Sequence, residues 1–445
     1  MNGKGWWFGV SMLAAMLGCD SPSPSAGVNS GGTNGQSALK VLLPIVAGIC
    51  TFGTGCDTGI LDPGSQHGFV VAPGWSVPEC DGIDGAPGLS MTLDFGESFV
   101  PTLDGIEQPE TKDQWVDLFP FTRGLVALHD RPNTLFAIQY NSVVMSHDGG
   151  CHWNYHPESL NGTNFWLGQT NGVKIPMHDA GDGVVYAHGV HNQLVRITED
   201  TIDVSELYVG QDVSGKSGNA GWQDFRGMTS LKGHPDSLRA FTHAGFVLES
   251  DDGGVTWGDP VGAIAAPEEY QYLSPSAVAH FDPSNWDRIL VHFGGTVRIS
   301  EDGGQLWEVA TFETSSEGPL LLQSVVPSPT DFDVVWAMAL QMEPGKPIAE
   351  QIRLFRSMDA GKNFSVVGDG TDFPLSMGGS LRPVPQRAAE VLIIQETEIL
   401  RVNAPMQSAS VHPLEAPVVV TAFSPADNQV LYLGLNAGQY WAENQ

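Results

Sequence analysis

Basic side chains are scarce in this chain. Lysine and arginine together number 20 against 51 aspartates and glutamates, a formal net charge of -31 over 445 residues. A surface of that sign repels nucleic acid and anionic lipid, so neither is an expected partner, and a solvated acidic exterior is the plain expectation. Long apolar runs are lacking too. Trp6–Leu17 and Val41–Phe52 are each too short to cross a bilayer, and Pro44 breaks the second. Cysteine is sparse, with five in all and no Cys-x-x-Cys pair, which leaves a zinc ribbon or a thioredoxin-like site without support. Phosphate-cradling glycine loops, nucleophile elbows and the His-Glu-x-x-His zinc signature are absent, so no metal and no cofactor is expected. Glycine and proline, by contrast, are plentiful at 53 and 30, and 12 tryptophans accompany them. That composition suits many short strands joined by tight turns.

The first residues read as an export signal. Lys4 precedes the apolar run Trp6–Leu17, which ends at Gly18-Cys19. The segment resembles a bacterial lipoprotein signal, with Met16 and Leu17 where that pattern has leucine and a small residue. The resemblance implies cleavage after residue 18 and lipid attachment at Cys19, the one route by which a membrane is expected to be engaged. Ser21–Ser37 is rich in Ser, Pro, Gly and Asn and reads as a flexible tether. Residues 19–56 are therefore assigned to the tether and the apolar segment, which is either a buried strand or a second signal-like stretch. Residues 57–113 form an N-terminal extension. Cys50, Cys56, Cys80 and Cys151 permit two disulfides in three connectivities.

Four segments share the pattern Ser-x-Asp-x-Gly-x-x-aromatic. They carry Ser146, Asp148, Gly150 and Trp153; Ser250, Asp252, Gly254 and Trp257; Ser300, Asp302, Gly304 and Trp307; and Ser357, Asp359, Gly361 and Phe364. Apolar alternation leads into each, as in Val143-Val144-Met145, so a strand ends at the serine. Aspartate accepts hydrogen bonds from nearby backbone N–H groups in a turn, and glycine supplies positive φ. The aromatic opens the next strand and buries a large surface, its indole N–H free to find a carbonyl. Weaker copies at Thr198, Asn403 and Glu443 complete a series of seven with a period near about fifty residues, the length of a four-stranded propeller blade.

The expected fold is all-β: a single seven-bladed β-propeller over residues 114–445. The last copy stops near Tyr440-Trp441, expected as its third strand. Gln114–Phe119 is expected to close the ring against that C-terminal blade and so remove exposed strand edges.

These motifs resemble the Asp-box (BNR-repeat) propeller superfamily. The resemblance implies that the boxes lie on the blade periphery in structural roles. The superfamily contains sialidases, xyloglucan hydrolases, sortilin-type receptors and photosystem assembly factors, so it implies no single activity. The sialidase Phe-Arg-Ile-Pro motif finds its nearest match in Phe225-Arg226-Gly227, which lacks the proline. A xyloglucanase needs two carboxylates facing across a cleft; Asp179, Asp182, Glu268 and Glu269 are the positions that could supply them. Cys80-Asp-Gly-Ile-Asp84-Gly85 hints at a calcium loop but lacks its further ligand positions. Loops joining second to third strands place Tyr140, His191, His243, His292, Glu396 and Asn436 around the channel mouth, where they could meet a polar ligand or stand as solvated loop residues. Long aromatic loops carrying Tyr155, Phe165 and Trp166, and Tyr208 and Trp222, could stack on sugars or on a protein. The expectation is a monomeric, non-catalytic protein of the cell envelope, periplasmic or outer-surface, that binds a protein or glycan through its loop face. The alternative is a glycoside hydrolase whose catalytic residues the sequence does not identify.

Overall fold

The computed structural model describes residues 73–85, 88–100, 121–139, 142–158, 174–188, 193–206, 225–242, 245–264, 278–293, 295–314, 319–376, 378–395, 397–406, 408–414 and 416–436. These residues form a seven-bladed β-propeller. Seven sheets follow one another along the chain, antiparallel except where Thr311–Phe312 pairs parallel with Asn363–Asp369. Their inner strands are Thr122–Ala127, Met177–Gly181, Phe225–Leu231, Val278–Asp282, Leu320–Pro327, Ser380–Pro383 and Val418–Phe423, which number the blades 1 to 7. One short 3₁₀ turn, Ile348–Gln351, is the helical element among the described residues.

Blade 1 shows why these sequences fold so. Its second strand, Leu135–Gln139, is an unbroken run of buried residues. A strand presents alternate side chains to opposite faces, and here both faces are covered, so the run reads as apolar throughout. Leu135 and Ala137 pack toward blade 7, in a cluster with Val430 and Tyr432. Phe136 and Ile138 pack toward blade 2, with Val185 and Val195. The same division repeats at every seam, so the core is a ring of seven inter-blade clusters.

Charged staples sit over several seams on the side of the turns between first and second strands. Tyr186 and Arg196 of blade 2 both meet Asp236 of blade 3. Arg239 of blade 3 reaches Asp287 of blade 4, and Arg288 of blade 4 pairs with Asp333 of blade 5.

Each Ser-x-Asp-x-Gly segment forms a hairpin turn with one hydrogen-bond plan. In blade 1, Ser146 Oγ donates to Asp148 Oδ1 at 2.8 Å and accepts from the Gly150 N–H at 2.9 Å. Asp148 Oδ1 accepts from the N–H groups of Cys151 and His152. Trp153 Nε1 donates to the Gly150 carbonyl at 2.9 Å. Gly254, Gly304 and Gly361 likewise donate to Ser250, Ser300 and Ser357. Asp148 is held below the usual carboxylate range: burial works against its charge, and the His152 and Ser146 hydrogen bonds outweigh it. The weaker copies keep part of the plan. Thr198 Oγ1 accepts from the Thr201 N–H, and Asn403 Oδ1 from the Met406 N–H.

An N-terminal strand closes the ring as expected: Leu89–Thr92 pairs antiparallel with Leu431–Leu435 of blade 7 and fills its third-strand position. Gln114–Phe119, the segment expected to close it, lies outside the described residues, as do Tyr440-Trp441 and Glu443. Leu89–Thr92 wins the place because it carries third-strand grammar: Leu89 and Met91 are buried, and Thr92 opens a fifth box turn, Thr92-Leu-Asp94-Phe-Gly96-Glu-Ser-Phe99. Thr92 Oγ1 donates to Asp94 Oδ1 at 2.9 Å and accepts from the Gly96 N–H at 2.6 Å. Part of the stretch assigned to an extension thus completes a blade. Upstream, Cys80 is disulfide-bonded to Cys151, next to the box turn of blade 1, with Cα atoms 5.6 Å apart. Cys50 and Cys56 lie outside the described residues.

The inner strands approach closely. A Cβ on Gly227 of blade 3 would stand 2.1 Å from the Ala279 carbonyl oxygen of blade 4. Backbone cannot yield as a side-chain tip does, so Gly227→Ala is expected to cost about 3 kcal/mol. Guanidinium chloride unfolding reads this directly, and a loss under about 0.5 kcal/mol would mean that the seam tolerates separation.

Candidate functional site

All seven inner strands end around one cavity of about 380 Å³, the central channel at the end where first strands turn into second strands. Its rim is proline-rich: Pro283, Pro327, Pro329, Pro383, Pro385 and Pro425 come from four successive blades. These residues sit where a strand must stop, since proline fixes φ and has no N–H to pair. Phe281, Phe332 and Phe423 lie among them. The mouth is therefore apolar and stiff.

Few polar groups line it. Asp179 of blade 2 is the carboxylate among the described lining residues. It is turned to the seam with blade 1, where it accepts from the backbone N–H and ring Nδ1 of His129 at 2.8 and 3.0 Å and from the Gly181 N–H at 3.0 Å. Burial opposes its charge, but these hydrogen bonds prevail and keep it ionised below the usual range. His178 bonds Ser230 Oγ through Nε2 at 3.0 Å, and His280 Nε2 donates to the Val325 carbonyl at 2.9 Å. Both rings are packed round by protein while touching the channel. Burial drives His178 down to about 4 and His280 to about 3, the latter helped by the charges of His292 and Arg382. Arg382 of blade 6 completes the lining, its Nε donating to Thr421 Oγ1 at 2.6 Å and its Nη1 to the Leu381 carbonyl at 2.8 Å.

The sequence-derived candidates fall mostly elsewhere. Tyr140, His191, His243 and Glu396 lie outside the described residues, as do Glu268 and Glu269. His292 is not a solvated loop residue: it belongs to strand Asn285–Phe293, is 6% exposed, and burial lowers it to about 4. Asn436 follows the second strand of blade 7, bridging Phe121 through its backbone, with its N–H donating to the Pro417 carbonyl. Asp182 occupies a turn at φ 53°, and Phe225-Arg226-Gly227 is simply the start of an inner strand. Asp84, in the hinted calcium loop, uses its backbone to bridge His152. Among the described residues no three His, Cys, Asp or Glu side chains cluster as metal ligands would, and no helix is long and apolar enough to cross a membrane.

No family model matches the chain. It is 27% identical over 383 residues to the dispase autolysis-inducing protein of Streptomyces mobaraensis, across 82% of this chain and 91% of that protein. Among solved structures it is similar to YCF48 of Cyanidioschyzon merolae, with a TM-score of 0.48 and 11% identity over 71% of this chain and 96% of that one. The GH74 enzyme of Niastella koreensis gives 0.41 and 15% over 71% of this chain and 41% of that one. PorZ, a surface component of the type-IX secretion system of Porphyromonas gingivalis, gives 0.45 and 11% over 71% and 35%.

This end of the channel was not among the sequence-derived sites, which were expected at the mouth formed by loops between second and third strands. Its signal was present, as the recurring prolines that follow the inner strands, but those residues double as turn formers and so read as architecture.

Proposed function

We propose that this chain is a non-catalytic, exported propeller of the Asp-box type, held at the cell envelope through Cys19, that binds a protein or glycan partner at the mouth of its channel. The observation that carries this reading is the rim: six prolines and three phenylalanines around one cavity. A stiff apolar rim loses little entropy on binding, and a few placed polar groups below it supply orientation. A protein is the favoured partner class, because the curated relative is named for an action on dispase. Hydrolysis of a glycoside would call for two carboxylates at the reacting bond, and the one carboxylate in the described lining is engaged by His129 and Gly181. The box residues, on this reading, keep the hairpins in shape and take no part in binding.

Two measurements test it. The full chain, incubated with a panel of polysaccharides and sialoglycans, is expected to release no sugar detectable by mass spectrometry; released products would overturn the non-catalytic assignment. Cross-linking in an envelope extract is expected to capture a partner with the native chain and to lose it with Phe423→Asp, which places a charge on the rim. Equal capture by both would move the binding surface away from the mouth.

A further inference from the structure

Arg382 lines the central cavity and meets no carboxylate. Arg196, Arg239, Arg288, Arg353, Arg387 and Arg401 each meet a carboxylate. Arg382 meets only a hydroxyl and its neighbour's carbonyl, although it is walled in by protein at the centre of a chain with a net charge of -31. A buried cation normally draws a counter-ion, since an uncompensated one costs several kcal/mol. The one carboxylate among the described lining residues, Asp179, is engaged by His129 and Gly181 and not by Arg382. His280, at the equivalent position two blades away, is pressed toward its neutral form by burial and also by Arg382. The hydroxyls of Thr229, Ser328 and Ser424 line the same cavity.

We infer that the central channel is an anion-binding site, in which Arg382 pairs with an oxyanion, a carboxylate or a phosphate. The planar guanidinium has an N–H-bearing edge beyond its bonds to Thr421 and Leu381, and two parallel N–H donors match two oxygens of either anion. The apolar walls strengthen that pairing by keeping water few. The site is independent of which macromolecule docks at the rim, because it concerns the channel interior and is read with small ions.

Isothermal titration of the full chain at pH 7 and low salt, with inorganic phosphate and separately with citrate, tests it. Saturable binding with a Kd below about 1 mM is expected for at least one of them. Which ion binds more tightly separates a phosphate site from a carboxylate site. Arg382→Gln is expected to weaken binding at least about tenfold. Arg401→Gln, which disturbs an arginine paired with Glu390, is expected to leave affinity unchanged. Should Arg382→Gln fail to fold, Arg382→Lys keeps the charge without the fork and is expected to bind at reduced affinity. No saturable heat with either ion, or native affinity in a folded Arg382 variant, would overturn the inference.

Discussion

Acidification from pH 7 to pH 5 is expected to lower the stability of the folded chain by on the order of 5 kcal/mol. Four histidines are responsible. Burial lowers His178, His188 and His292 to about 4 and His280 to about 3, from an ordinary value of 6.5. Other groups modify three of them: Asp179 raises His178 while His129 lowers it, Arg226 and His178 press on His188, and His292 and Arg382 on His280. Because the folded values lie below the unfolded ones, the unfolded chain binds more protons between about pH 6.5 and pH 4. Their stabilising contribution is therefore whole above pH 6.5 and is lost as pH falls through that window. One such group is worth about 1.4 kcal/mol per pH unit when fully desolvated. The sum over four exceeds the figure given, which is reduced because two of the rings, His178 and His280, line the channel. Guanidinium chloride midpoints at pH 7, 6 and 5 measure it. His280→Gln, whose amide can still donate to Val325, is expected to shallow the slope by about a quarter. Midpoints that do not move between pH 7 and 5 would mean that these rings take up protons as readily folded as unfolded.

That behaviour was not legible in the sequence, and the reason is geometric. His178, His280 and Arg382 lie on blades 2, 4 and 6, and only closure of the ring brings them to one channel. What was legible were features made within one hairpin. Ser146, Asp148, Gly150 and Trp153 bond one another across a few residues, so their spacing alone discloses the turn. Apolar runs such as Leu135–Ile138 disclosed strands covered on both faces. The fifth box, at Thr92, Asp94, Gly96 and Phe99, obeys the same local chemistry. It escaped notice because it opens with threonine and precedes the first blade, where a count of blades in chain order does not look. His292 escaped for the opposite reason: alignment on the serine positions placed it at a loop, whereas strand Asn285–Phe293 runs long enough to bury it.

Removing residues 1–100 is expected to abolish cooperative folding, whereas removing residues 1–72 is expected to leave it intact. The difference is the segment from Pro73 to Val100, which joins the first blade to the last. Trp75 Nε1 donates to the Leu128 carbonyl, and Cys80 is bonded to Cys151. The Asp84 N–H donates to the Cys151 carbonyl, and the Trp153 N–H donates back to Asp84. Gly88 then accepts from the Leu435 N–H of blade 7 and from Thr122 Oγ1 of blade 1. Beyond it, Leu89 and Met91 fill the seam between those blades, and Phe95 packs beneath Arg401 of blade 6. Three buried apolar side chains contribute about 6 kcal/mol together, and a disulfide closing a loop of 71 residues contributes about 2–5 kcal/mol. Their sum matches the whole stability of an ordinary domain, about 5–15 kcal/mol. The loss also uncovers the edge of Leu431–Leu435, which invites aggregation. Reduction of the intact chain removes the disulfide and leaves the strand in place, so it is expected to lower the melting temperature while preserving a single transition. Circular dichroism melts of the two truncations and of the reduced chain separate these contributions. A sharp native-like melt from the chain starting at residue 101 would show that six complete blades and a half-built seventh hold the ring without their strap.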